Sequence, residues 1–217
     1  MKKKWICIII VLLFIGLSAD LQKVEAASSV TTKILTYKGQ EYVQLSGADQ
    51  TVTNKLNKSL KRRAVNAAIS NSELKRENKS YYYRLKANTK YNDNKKISVM
   101  YTETMYSGGA HELYGATVYN YDLQTGKPFV LMDYIRTQAQ RINLKNAISN
   151  QLQARYDAGA GIFEDNIYNF SLNSSTPFYF YQNGIAILFN PYEVAAFSEG
   201  VVIVKVPFDE INKGIDS

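Results

Sequence analysis

The sequence predicts an α+β fold, an antiparallel meander sheet packed with two main helices and preceded by a small strand–helix subdomain. Three observations carry this. Residues 96–105 and 113–122 alternate with the two-residue period of half-buried strands. Val52, Leu56, Leu60 and Ala64 recur at four-residue spacing, as do Leu144, Ile148 and Leu152, the period of an amphipathic helix. Turn signals join the strands as hairpins, so there are no βαβ repeats and no parallel sheet.

The elements follow in order. Ile34, Leu35 and Tyr37 lead through Lys38-Gly39 to Tyr42, Val43 and Leu45, a short hairpin. Asp49 is placed to cap a helix over 50–70, because its carboxylate can accept the free N–H groups of the first turn. The charged stretch from Glu73 to Ser80 reads as a loop. Strands are predicted over 81–87, 97–105, 113–122 and 129–131. Gly126 supplies a positive φ in the turn after Asp122. A second helix runs over 138–156, with Asp133 or Thr137 as its start signal. Asn183-Gly184 between two apolar runs predicts a hairpin with both central residues at positive φ. Asn190-Pro191-Tyr192-Glu193 has the pattern of a short helix capped by Asn190 and ended by Gly200. A last strand over 201–206 runs into a short terminal helix at Pro207–Ile211.

The N-terminus has the layout of an export signal. Lys2, Lys3 and Lys4 precede an apolar run from Trp5 to Leu17, and Val24-Glu25-Ala26 offers a cleavage site. The run is 13 residues long, whereas crossing a bilayer takes about 18 or more. Cleavage predicts a secreted or cell-wall-associated protein with no stable membrane anchor, organised as 1–26 signal, 27–90 small α+β subdomain and 91–217 larger α+β domain. Removing 1–26 takes away the sole cysteine, Cys7, with Lys2, Lys3, Lys4, Lys23, Asp20 and Glu25, so the net charge falls from +7 to +5. The remaining chain has no disulfide and no cysteine-based site. Export makes nucleic acid a poor partner for the basic face of the first helix, Lys55, Lys58, Lys61, Arg62 and Arg63, which reads as a solvated face.

Candidate chemistry centres on Tyr106-Ser107-Gly108-Gly109-Ala110-His111-Glu112, which holds the one Gly-Gly pair and the one histidine. Gly108 and Gly109 suit a bulge or tight bend between two strands. Catalytic zinc takes about three protein ligands, so no metal and no cofactor is expected. Ser107 is near His111, but no nucleophile-elbow motif is present. Glu103, Glu112, Asp122 and Asp133 are the nearby carboxylates, and a glycosidase would need two of them across one cleft. Tyr192 and Glu193 join the candidates because connections between rigid strands are where recognition is placed. The 17 tyrosines serve as strand formers or as a sugar- or protein-binding face.

The ordered motifs Tyr106-Ser107-Gly108-Gly109-Ala110-His111, Tyr119 through Lys127, Phe178 through Gly184, Phe189 through Gly200 and Val204 through Phe208 resemble the RsiV/PdaC-type extracytoplasmic domain. That domain occurs in a lysozyme-sensing anti-sigma factor and as an accessory domain of a peptidoglycan deacetylase. The resemblance covers about Lys96 to Ile211, and Lys33 to Lys90 resembles, less specifically, the small domain that precedes it. It implies an α+β extracytoplasmic module that in the anti-sigma member binds lysozyme. The expected function is a secreted, non-catalytic binding or sensing module at the bacterial cell envelope. Its expected ligand is a lysozyme-like protein or a peptidoglycan glycan. The binding residues expected are Tyr106, Gly108, Gly109, His111, Asn190, Tyr192 and Glu193. The alternative is a peptidoglycan-directed hydrolase or deacetylase using His111 with a nearby carboxylate.

Overall fold

The structure, a computed structural model, describes residues 29–47 and 49–215. The expected export signal lies outside the described residues. Strands β1 (Thr31–Tyr37) and β2 (Gln40–Ser46) form a hairpin and lead into helix α1 (Gln50–Glu77). Strands β3 (Tyr82–Asn92), β4 (Lys96–Tyr106), β5 (Leu113–Asp122) and the short β6 (Pro128–Phe129) make a four-stranded antiparallel meander in that order. A single helical turn, α2 (Leu131–Tyr134), precedes α3 (Gln138–Asp157). Strands β7 (Phe178–Tyr181), β8 (Gly184–Phe189) and β9 (Val202–Pro207) form a second antiparallel sheet, and α4 (Phe208–Ile211) follows.

The predicted α+β class is what the structure has. The two sheets lie face to face between α1 and α3, giving three apolar cores. The first packs Leu56, Leu60 and Ala64 of α1 against Leu85, Val99 and Tyr101. The second joins the sheets through Met100, Ala116, Val118, Tyr179, Ala186 and Leu188. The third packs Leu144, Ile148 and Leu152 of α3 against Phe180, Ile187 and Val204. Alternation along β4 explains the division: Val99 and Tyr101 face α1, while Met100 faces the second sheet.

Helix starts follow the sequence. Asp49 Oδ1 accepts the Thr51 and Val52 N–H groups at 2.8 and 3.0 Å. Thr137 and Gln140 form a reciprocal capping box at α3, and Asp133 instead accepts the Val130 N–H at 2.9 Å. Three expectations need correction. Helix α1 runs through to Glu77 rather than ending near Ser70, so the expected loop from Glu73 is helix. Its last turns have lost the apolar stripe but carry Lys75 and Arg76, which favour the C-terminal end of the dipole. The β7–β8 turn residues are Gln182 and Asn183, because Tyr181 pairs with Gly184. Gly184 begins β8 at an ordinary φ, and its bare Cα is required by space: a Cβ would run into the Val206 carbonyl and the Tyr181 hydroxyl. Finally, Asn190–Glu193 is a turn and not a capped helix, as described below.

Side chains close the sheet edges. Gln40 pairs with β3 like a neighbouring strand, donating to Tyr83 O (3.0 Å) and accepting the Leu85 N–H (2.7 Å). Asn71 and Glu41 accept the Tyr83 and Ala87 N–H groups on the same edge. At the edge of β7, Asn120 donates to Phe178 O (2.7 Å), and the Phe180 N–H donates to Ser98 Oγ (3.0 Å). Gln151 and Arg155 of α3 donate to the Lys205 and Ile203 carbonyls of β9. A buried peptide group left without a partner costs about 1–3 kcal/mol. These contacts therefore stabilise edges that would otherwise invite pairing with another chain.

Candidate functional site

Helix α1 packs on β2 and β3, and β7 crosses β3, β4 and β5 at one end of the meander. The other end, where β4 turns into β5, extends beyond β7, whose contacts are with Ser98 and Asn120. Thr102–Tyr106 and Tyr114–Gly115 are half-buried there, and the connection Ser107–Leu113 is exposed. Gly108 and Gly109 make the bend with φ of +94° and +111°. A side chain at Gly108 would strike the Tyr81 hydroxyl 2.7 Å away, so glycine meets both the backbone and the space requirement. Tyr106 donates to the Gly109 carbonyl at 3.3 Å. Its ring packs against Tyr81 and Tyr82, with centroids 6.0 Å from each.

The turn 190–193 docks on this end. Asn190 Oδ1 accepts the Ala116 N–H at 2.7 Å and Nδ2 donates to its carbonyl at 3.3 Å, so the amide closes the edge of β5. That amide is spent on β5, and no helix starts behind it. Glu193 N–H donates to Asn190 O at 3.0 Å, closing a β-turn with Pro191 second and Tyr192 third. The Glu193 carboxylate accepts the Asn190 N–H at 2.8 Å. Tyr192 sits at φ +70°, in the position where such turns favour Gly or Asn. A bulky residue there costs on the order of 1–3 kcal/mol and is characteristic of functional sites. Tyr192 is 60 % exposed. Phe197 follows in a 3-10 turn (Phe197–Glu199) that ends at Gly200, φ +71°.

Phe197 collects an aromatic platform. Its ring centroid lies 4.3 Å from His111, 4.6 Å from Tyr114 and 5.7 Å from Tyr192. Tyr114 also donates to the Phe197 carbonyl at 2.5 Å. His111 Nδ1 is 2.9 Å from Glu112 O, which leaves Nε2 as the acceptor when Nδ1 carries the proton. The structure thus joins His111 with Asn190 and Tyr192. Glu193 acts through the turn, Gly108 and Gly109 through the bend, and Tyr106 belongs to the adjoining tyrosine group. Phe197 and Tyr114 were not among the expected residues. The expected short helix from Asn190 to Gly200 gave neither of them a surface role.

Around the β5 edge, on the α1 side, lies a cleft of about 300 Å³ lined by Tyr83, Glu103, Met105, Leu113, Tyr114, Gly115, Ala116, Thr117 and Asn190. Glu103 is its charged group. One oxygen accepts from Arg63 of α1 and from Thr117 (3.1 Å), the other from the Tyr83 hydroxyl. Burial pushes the Tyr83 phenol up, partly offset by Arg63, so it stays protonated and donates. The other candidate carboxylates serve different places: Glu112 lies in the exposed connection, the Asp122 carboxylate accepts the Gln124 and Thr125 N–H groups in the turn after β5, and Asp133 caps α2. Among the described residues, no three His, Cys, Asp or Glu side chains gather to hold a metal ion.

A family model described as a protein of unknown function (DUF3298) matches residues 133–209, the part containing α3 and β7–β9. No curated protein matches the chain. Two crystal structures share the fold. A DUF3298-family member from Bacteroides fragilis aligns with a TM-score of 0.62 at 16% identity, over 88% of this chain and 94% of that chain. A DUF3298-family protein from Pseudomonas aeruginosa gives 0.60 at 15% identity, over 85% and 93%. At these identities the likeness establishes the architecture alone.

Proposed function

We propose that this protein is a non-catalytic binding module of the bacterial cell envelope, and that its ligand is a glycan. The observation that supports this reading is the platform of His111, Tyr114, Tyr192 and Phe197, held at the projecting end of a rigid sheet. Aromatic faces bury the apolar faces of flat ligands while their polar edges stay wet. Tyr192 keeps its ring at the surface in a strained backbone position, a cost that a purely structural turn would shed by using glycine. The export-type N-terminus and the basic charge favour an anionic envelope polymer over a basic lysozyme-like protein. His111 has a backbone carbonyl and an aromatic ring as its neighbours, an arrangement suited to contact.

Co-sedimentation of the purified protein with insoluble peptidoglycan tests the reading. Phe197→Ala, which removes the ring shared by three others, is expected to weaken retention about tenfold or more. Retention unaffected by Phe197→Ala, or capture of a lysozyme-like protein without capture of peptidoglycan, would sink it. Release of acetate or soluble fragments that disappears in His111→Ala would overturn its non-catalytic part.

A further inference from the structure

We propose that the cleft beside Glu103 is a second binding site, and that it takes one neutral pyranose carrying an acetamido group. This rests on the glycan reading and adds to it a position that reads which sugar is present. The ligand class follows from the walls. Glu103 is already paired with Arg63, so a cation gains little there, and an anion meets a carboxylate. A ligand without net charge that offers a hydroxyl or amide donor suits the one lone pair left on Glu103, on the oxygen that accepts from Tyr83. Glu103 keeps 23 % of its side-chain surface exposed and lines the cleft.

The apolar wall is Met105 and Leu113, and Leu113 is 48% exposed. A methyl group set beside an amide fits this pairing of apolar wall and polar floor. The volume of about 300 Å³ is at the lower end of small-ligand sites, the scale of one sugar ring. Gly115 keeps the cleft open: a Cβ there would meet the Asn190 amide oxygen at 3.2 Å. Asn190 in turn is fixed by Ala116, so that wall is preorganised. Tyr114 belongs to both sites, lining the cleft and packing on Phe197. A glycan strand stacked on the platform therefore reaches the cleft around a single edge, that of β5.

The test is titration of the protein with chitotetraose and with cellotetraose, which differ in the acetamido group, followed by NMR or calorimetry. Chitotetraose is expected to bind about tenfold or more tightly, the scale set by one well-packed small group. Gly115→Val, which fills the cleft and leaves Glu103 in place, is expected to abolish that preference. Glu103→Gln is expected to reduce it, with thermal unfolding confirming that each variant is folded. Phe197→Ala is expected to weaken both oligomers alike and keep their ratio. Equal binding of the two by the native protein, or a preference that survives in Gly115→Val, overturns the cleft site and leaves the platform standing. Binding of neither oligomer overturns the glycan reading and the cleft with it.

Discussion

Strands β4 and β5 have two halves built on one alternating pattern, and the halves meet different surroundings. In the covered half, Ile97, Val99 and Tyr101 are fully buried under α1, and Ser98 and Asn120 are buried under β7. In the free half, Glu103, Met105 and Leu113 on one face and Tyr82, Tyr106 and Tyr114 on the other remain partly open. Alternation makes both halves strands. What differs is the cover, and the residue types record it. Aliphatic groups suit a neighbour from the same chain. Tyrosines with a paired carboxylate suit a partner that is sometimes water and sometimes a ligand.

This contrast can be broken by mutation, and the largest effect belongs to the covered half. Tyr101→Ala removes a fully buried ring whose hydroxyl donates to Leu60 O. It should cost about 3–5 kcal/mol in urea unfolding, whereas Tyr106→Ala in the free half should cost under about 1 kcal/mol. Equal losses would dissolve the distinction. Next comes the buried junction. Ser98→Ala leaves the Phe180 N–H and an Asn120 lone pair unmatched and should cost about 1–3 kcal/mol. Tyr192→Gly sharpens the comparison from the other side. Relief of the left-handed strain should raise stability by about 1 kcal/mol while peptidoglycan retention falls. A loss of stability there would show that the Tyr192 ring is structural.

The smallest effect is set by pH. Burial works to raise the Glu41 pKa, but the Lys86 ammonium and the Ala87 N–H outweigh it and hold it below the ordinary carboxylate value. Asp93 is lowered in the same way, burial being outweighed by the Lys96 and Lys95 N–H groups. Their contribution is therefore complete above pH about 4.5 and is lost as pH falls further through the lowered values. Glu41→Gln should flatten this acid slope slightly, by lowering stability a little above pH about 4.5 and leaving it almost unchanged in acid. An undiminished slope would remove Glu41 from that account.

Much of this was readable from residue order. The strands, both long helices, their caps at Asp49 and Thr137 and the bend at Gly108-Gly109 follow from short-range rules of period, capping and φ. The sequence also pointed to His111 and to the 190–193 turn. It did not reveal that they meet, because Tyr114 and Phe197 are linked across 83 positions. Nor did it reveal that Asn190 serves Ala116 and not its own turn, a choice made by tertiary contact. Gly184 teaches the same lesson: the Asn-Gly pair correctly announced a hairpin, but the glycine is there for the Val206 carbonyl and not for a positive φ.

The closing of edges by side chains also has a timing. The edge of β3 is covered by Gln40, Glu41 and Asn71, all of which precede it in the chain. A chain emerging from its N-terminus carries those covers before β3 exists. The edge of β5 has no such provision, for Asn190 arrives 74 positions after Ala116. Any meander formed during that interval has one bare rim. A product cut short before position 190 should therefore self-associate through β5, whereas one completed a few residues later has its seal in hand.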